Sequence, residues 1–149
     1  MERTPNELER RHWEEWEILL RLHDLPELLE AAAQRDIGEF QLQQRLRREY
    51  PDELVRAALA LRDCRQRAAE KYQNADRLWL DRTGFEQGTH EAVAAHKAAR
   101  FRGEVWDLCT GIGADAGALA KHCRVITVDH NPVNCQRAQW NMDAGKSLL

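Results

Sequence analysis

Apolar residues recur every three or four positions through most of the first hundred residues. They then condense into two short runs, near positions 105 and 126. Leu8, His12, Trp16 and Leu19, widened by Trp13 and Leu20, form a stripe that predicts an amphipathic helix. Thr4-Pro5-Asn6-Glu7 reads as its capping box, with Pro5 in the first helical position. His12 on this stripe is read as a core or edge histidine. Asp24 to Glu27 and Asp36 to Glu39 are further capping signals, opening short helices over 25–35 and 36–49. Residues 51–73 carry the longest periodic pattern, with Leu54, Ala58, Leu61, Cys64, Ala68 and Tyr72 on one face. After the apolar run Leu78-Trp79-Leu80, Thr83-Gly84-Phe85-Glu86 signals another helix start. A helix over 92–99 then presents Ala92, Ala95 and Ala99 as a small-residue packing face.

The two condensed runs change the period. Glu104 to Leu108 predicts a strand, Ala114 to His122 a helix, Arg124 to Val128 a second strand and Pro132 to Ala144 a last helix. Between the first strand and its helix stands Thr110-Gly111-Ile112-Gly113, and Asp129 closes the second strand. Glycines at such a turn let the backbone approach a ligand, and the following helix directs its N–H groups there. An acid at the tip of the second strand can accept hydrogen bonds from ribose hydroxyls. The arrangement is half of a nucleotide-type βαβ unit.

Charge divides the chain at the same region. Residues 1–102 hold 38 charged side chains and residues 103–149 only 9, which places a domain boundary at Arg102-Gly103. The net charge of -3 gives no global basic excess that would argue for nucleic acid. Arginines cluster at 45, 47 and 48 and at 62, 65 and 67, but acids interleave with them, as on a solvated helix face. The sequence contains no apolar run that would span a membrane, and MERTPNELERR lacks the apolar core of a signal peptide. Cys64, Cys109, Cys123 and Cys135 form no C-x-x-C pair and read as reduced thiols, so a cytoplasmic location is expected. His122, Cys123 and Cys135 lack a second close pair, so no metal site is expected.

Gly111, Gly113 and Ala116 satisfy the looser dinucleotide fingerprint G-x-G-x-x-A, which leaves NAD open on glycines alone. Asp107 tilts the balance. A carboxylate four positions before Gly111 would repel a pyrophosphate but would attract a cation. S-adenosylmethionine carries a sulfonium and an ammonium. The pattern D-x-x-x-G-x-G, followed by an acid closing the next strand, resembles the class I S-adenosylmethionine-dependent methyltransferases.

A more specific resemblance covers residues 50–145. Phe85-Glu86-Gln87-Gly88-Thr89, then Val93-Ala94-Ala95-His96-Lys97-Ala98-Ala99-Arg100-Phe101, then the glycine motif, then Val125-Ile126-Thr127-Val128-Asp129-His130-Asn131-Pro132 follow in order. This series resembles the bacterial methyltransferases with a THUMP-like domain, whose pattern has glycines where Cys109 and Ala114 stand here. The resemblance implies an α/β fragment: an N-terminal all-α helical bundle over 1–102, then the first βαβα half of a Rossmann-like class I methyltransferase fold over 103–149. It implies S-adenosylmethionine as cofactor. The backbone from Cys109 to Gly113 would line the methionine part, and Asp107 would help hold the ammonium. Asp129 would bind the ribose hydroxyls, and His130 would lie beside the adenine. Thr83, Glu86 and Gln87 would close the methionine side or serve only as a helix cap. His96 and Arg100 fall on the packing helix.

The family's sheet resembles a seven-stranded one, so the chain is expected to be the N-terminal part of a longer enzyme, inactive alone. The catalytic residues and substrate groups are expected downstream of Leu149. An RNA substrate is implied by the THUMP-like resemblance alone. Two unpaired strands leave two open edges, and self-association through them is expected. An NAD-type domain and a non-enzymatic helical interaction module stand as alternatives.

Overall fold

The computed structural model describes residues 6–146. It is mostly helical, with one small parallel sheet, consistent with an α/β fragment. The chain separates into two compact units, Met1–Asp63 and Cys64–Leu149.

In the first unit, helices α1 (Glu7–His23), α2 (Pro26–Ala32) and α3 (Glu39–Leu46) are followed by the start of α4 (Asp52–Ala68). Asn6 caps α1. Its side chain accepts from the Glu9 N–H at 2.8 Å, and the Glu9 carboxylate accepts from the Asn6 N–H at 2.7 Å. The expected box thus sits two residues later, and Thr4 and Pro5 lie outside the described residues. The Leu8 stripe is only partly buried. Leu19 and Leu22 enter the core, whereas Leu8, Trp13 and Leu20 stay exposed and Trp13 stacks on Trp16 with centroids 5.3 Å apart. Neither expected acidic cap forms: Leu25 and Gly38 occupy the N-cap positions of α2 and α3, without side-chain bonds. Pro26 starts α2 instead, where its missing N–H costs nothing. Leu28, Leu42 and Val55 are fully enclosed, each contributing about 1.5–3 kcal/mol of apolar burial.

Helix α4 carries its expected face inward: Leu54, Ala58, Leu61, Cys64 and Ala68 are all buried, and Tyr72 is buried in the turn beyond. The second unit continues through a 3₁₀ turn (Ala75–Arg77), α5 (Arg82–Gln87), α6 (Glu91–Ala98), β1 (Gly103–Asp107), α7 (Ala114–Leu119), β2 (Cys123–Thr127) and α8 (Pro132–Lys146). Strands β1 and β2 pair in parallel, with Val105 opposite Val125 and Trp106 opposite Ile126. Helix α7 makes the crossover between them and packs against α6 and α8. Helix α6 buries Ala94 and Ala98, while the expected packing residues Ala92, Ala95 and Ala99 are exposed. The charge boundary at 102/103 falls where β1 begins; the compact units part earlier, within α4. Among the described residues no helix is long and apolar enough to cross a membrane.

Candidate functional site

All of the candidate site lies in the second unit, where the strand ends meet α5 and its flanking turns. The ladder continues past β1, with Val128 N–H donating to Asp107 C=O at 2.8 Å and Thr110 N–H donating to Val128 C=O at 3.1 Å. The chain then turns sharply. Gly111 and Gly113 have φ of 53° and 81°, in the left-handed region that side chains disfavour. Gly113 is required for a second reason: a Cβ there would lie 2.9 Å from the Cα and the Cβ of Ala138 on α8. No residue other than glycine has positive φ among the described residues, so Cys109 and Ala114 fit without strain.

Asp129 clasps this turn to the next one. Its Oδ2 accepts from Gly111 N–H at 2.9 Å, and its Oδ1 accepts from Asn131 N–H at 2.9 Å and Asn134 Nδ2 at 3.3 Å. Burial alone would raise its pKa. The Asn131 and Gly111 N–H groups outweigh that, helped by Asn134 and His130, and hold the carboxyl below its ordinary value.

The opposite wall comes from α5. Asp81, rather than Thr83, is its N-cap, with Oδ1 accepting from Gly84 N–H at 2.6 Å. Oδ2 of the same carboxylate pairs with Arg137 at 3.2 Å, whose side chain is buried. Gly84 packs so tightly on Ile112 that a Cβ would meet its Cγ2 at 2.2 Å. Asn141 of α8 fixes both walls: it accepts from Trp79 N–H at 2.7 Å and donates to Trp79 C=O at 3.1 Å and Ile112 C=O at 2.8 Å.

Between these walls lies a cavity of about 450 Å³, within the size range of small-molecule sites. Of the residues expected from the sequence, Thr83, Gln87, Asp107, Cys109, Gly111 and His130 line it. Gly113, Asp129 and Glu86 do not. Gly113 faces Ala138, and Asp129 sits behind the wall with 6% of its side chain exposed. Glu86 points to the surface, where a hydrogen bond from Arg82 at 3.0 Å, with Arg67 at 3.1 Å, lowers its pKa. His96 and Arg100 hydrogen-bond each other on the exposed side of α6, away from this cavity.

Sequence reasoning missed Asp81, Thr89 and Asp115, all in the wall, and of Thr110 it named only the backbone. Thr89 Oγ1 donates to Asp115 Oδ2 at 2.8 Å, and Lys97 Nζ bridges both Asp115 oxygens at 2.7 and 2.8 Å. Only the repeated cap pattern around Asp81 could have signalled any of these. Tyr72 stands behind Gly88, and its buried hydroxyl has no hydrogen-bond partner among the described residues. Burial, then the charges of Asp115 and Glu91, raise its pKa to about 12.

The charge of this wall is the decisive property. Among the described residues three carboxylates line it and no lysine or arginine does. Asp81 and Asp115 are neutralised from behind by Arg137 and Lys97. Asp107 is half-buried and has no ion-pair or hydrogen-bond partner for its carboxylate among the described residues. The Thr110 hydroxyl is buried in the same wall and has no partner among the described residues. The cavity therefore offers a cation one carboxylate, Asp107, that no basic side chain among the described residues neutralises. Comparisons with protein-family models, curated proteins and solved structures find no significant match.

Proposed function

We propose that the second unit is the S-adenosylmethionine-binding portion of a methyltransferase with a Rossmann-like class I fold. The observation that carries this reading is Asp107, beside a glycine turn: among the described residues its carboxylate has no partner, and no lysine or arginine lines the cavity. The parallel β1–α7–β2 order and the left-handed glycines support it. In this reading Asp107 binds the ammonium of the methionine part. The backbone of 109–112 passes along the methionine chain, Thr83 and Gln87 close its far side, and His130 flanks the adenine. Asp129 acts at one remove: it fixes Gly111 and Asn131, so the turn at 130–134 meets the ribose. The sulfonium is already an electrophile, so the chain's contribution is to hold and orient it. When bound, S-adenosylmethionine would supply the electrophilic methyl group, and Asp107 with the 109–112 backbone would hold the methionine part in place. An RNA substrate is part of the proposal only through the THUMP-like resemblance.

The test is calorimetry on the chain with S-adenosylmethionine and with NAD. S-adenosylmethionine binds and NAD does not. Asp107→Asn weakens S-adenosylmethionine binding roughly 10- to 100-fold, the equivalent of losing a charge-assisted hydrogen bond worth about 1.5–3 kcal/mol. NAD binding in place of S-adenosylmethionine would overturn the reading in favour of a dinucleotide domain. Binding of neither would favour a non-enzymatic helical module.

A further inference from the structure

The three carboxylates of the cavity wall are not equivalent. Asp107 has no partner among the described residues, whereas Asp81 and Asp115 each have a cation behind the wall. The two cations differ in kind. Arg137 has 6% of its side chain exposed, and its pair with Asp81 ties α8 to the cap of α5. Lys97, near the end of α6, has 48% of its side chain exposed. Its Nζ reaches both oxygens of Asp115, in the first turn of α7, at 2.7 and 2.8 Å. Asp115 is also held by a neutral donor, the Thr89 hydroxyl at 2.8 Å, and α6 packs on α7 through the buried Ala94 and Ala98. Neither the placement of Asp115 nor the seating of α6 therefore hangs on Lys97 alone. What Lys97 adds is a positive charge. Asp129 stands one layer further back, where two backbone N–H groups and an amide take up its charge.

We infer that Lys97, acting through Asp115, sets how strongly the cavity prefers a sulfonium cofactor to its demethylated thioether. The inference rests on the S-adenosylmethionine reading of the site. S-adenosylmethionine and S-adenosylhomocysteine share the adenosine and the amino-acid part. They differ by one methyl group and one positive charge. Hydrogen bonds to the shared parts serve both alike, and so does the attraction of Asp107 for the ammonium. The field of the whole wall acts on the sulfonium as well, and specificity is a difference of affinities. With Lys97 in place, Asp115 adds little to that field. Without the lysine charge, Asp115 becomes a second uncompensated carboxylate, and the charged ligand gains over the neutral thioether. Without the Asp115 charge, the lysine stands unopposed and the charged ligand loses. Arg137 does the same for Asp81, but it is enclosed in the core, so Lys97 is the member of the wall whose charge can be changed without opening the packing.

The experiment is titration calorimetry on the full chain, Lys97→Met, Asp115→Asn and the double variant. Each is titrated with S-adenosylmethionine and with S-adenosylhomocysteine, and the readout is the ratio of the two affinities. Circular dichroism verifies that each variant is folded. Lys97→Met moves the ratio toward S-adenosylmethionine, and Asp115→Asn moves it toward S-adenosylhomocysteine. Each shift is roughly fivefold, for a unit charge acting over about 10 Å through an effective dielectric of about 20 and weakened by the water that reaches Lys97. The double variant returns to the parent ratio, because one neutral pair has replaced another. Loosening of α6 from α7 would weaken both ligands alike and leave the ratio where it was. Single variants that keep the parent ratio, or that move it in the same direction, overturn the inference and leave the cofactor reading standing. So does a double variant that retains either shift. A parent that binds neither ligand overturns the cofactor reading, and the inference falls with it.

Discussion

A carboxylate at the end of a strand can serve a ligand or serve the backbone, and Asp107 and Asp129 divide these roles. Asp129 already accepts two backbone N–H groups and one amide. Those bonds favour the ionised form and leave its folded pKa below the ordinary 3.8. The contribution is therefore complete above the unfolded pKa, and it disappears as pH falls from about 4 through the lower folded value. Asp129→Asn should be less stable than the parent at neutral pH, and the gap should narrow steadily below pH of about 4. Urea unfolding of both proteins at several pH values checks this. A gap independent of pH would mean that Asp129 contributes shape rather than charge. Asp107 and Gly111 were legible in the sequence because their meaning is local: a strand end and a positive-φ turn a few positions apart. Asp81 was not. Its cap pattern competes with the one beginning at Thr83, and what favours Asp81 is Arg137, 56 positions away.

The element scale shows the same limit in a different form. The chain order of helices and strands followed from period and capping signals, and both strands shifted by only one residue. Which face a helix buries followed for α4 but not for α6. Helix α6 has alanines at several helical spacings, and α7 selects Ala94 and Ala98 from among them. Helix α8 depends on Asn141, a polar residue with no distinguishing pattern in the sequence. It satisfies one backbone N–H and two carbonyls from segments 62 and 29 positions away. Asn141→Ala would leave these groups unpaired in a part-buried region, at about 1–3 kcal/mol for each one that water cannot reach. The expected result is a loss of about 2–4 kcal/mol in urea unfolding, with S-adenosylmethionine affinity reduced as well. Unchanged stability would show that water replaces the amide at all three positions.

For the whole molecule, the charge pattern and the packing give two different partitions. Charge counts exposed surface, and 64–102, with 13 charged side chains in 39 residues, is nearer to the helices before it (25 in 63) than to 103–149 (9 in 47). Packing instead joins that segment to the sheet, because α5 supplies one wall of the cavity and α6 packs on α7. Every wall residue lies between Asp81 and Asn134, so the cavity belongs wholly to the second unit. Ligand binding lowers the local opening of the groups it bridges, and this is read as slower amide exchange. Hydrogen exchange followed by mass spectrometry should therefore show S-adenosylmethionine protecting three stretches separated in sequence: 81–89, 107–115 and 129–134. Peptides from α1 to α3 should exchange at unchanged rates. Protection at the glycine turn without protection of 81–89 would detach α5 from the site and leave Thr83 and Gln87 as surface residues. Protection of α1 to α3 would place the ligand somewhere other than the cavity beside Asp107.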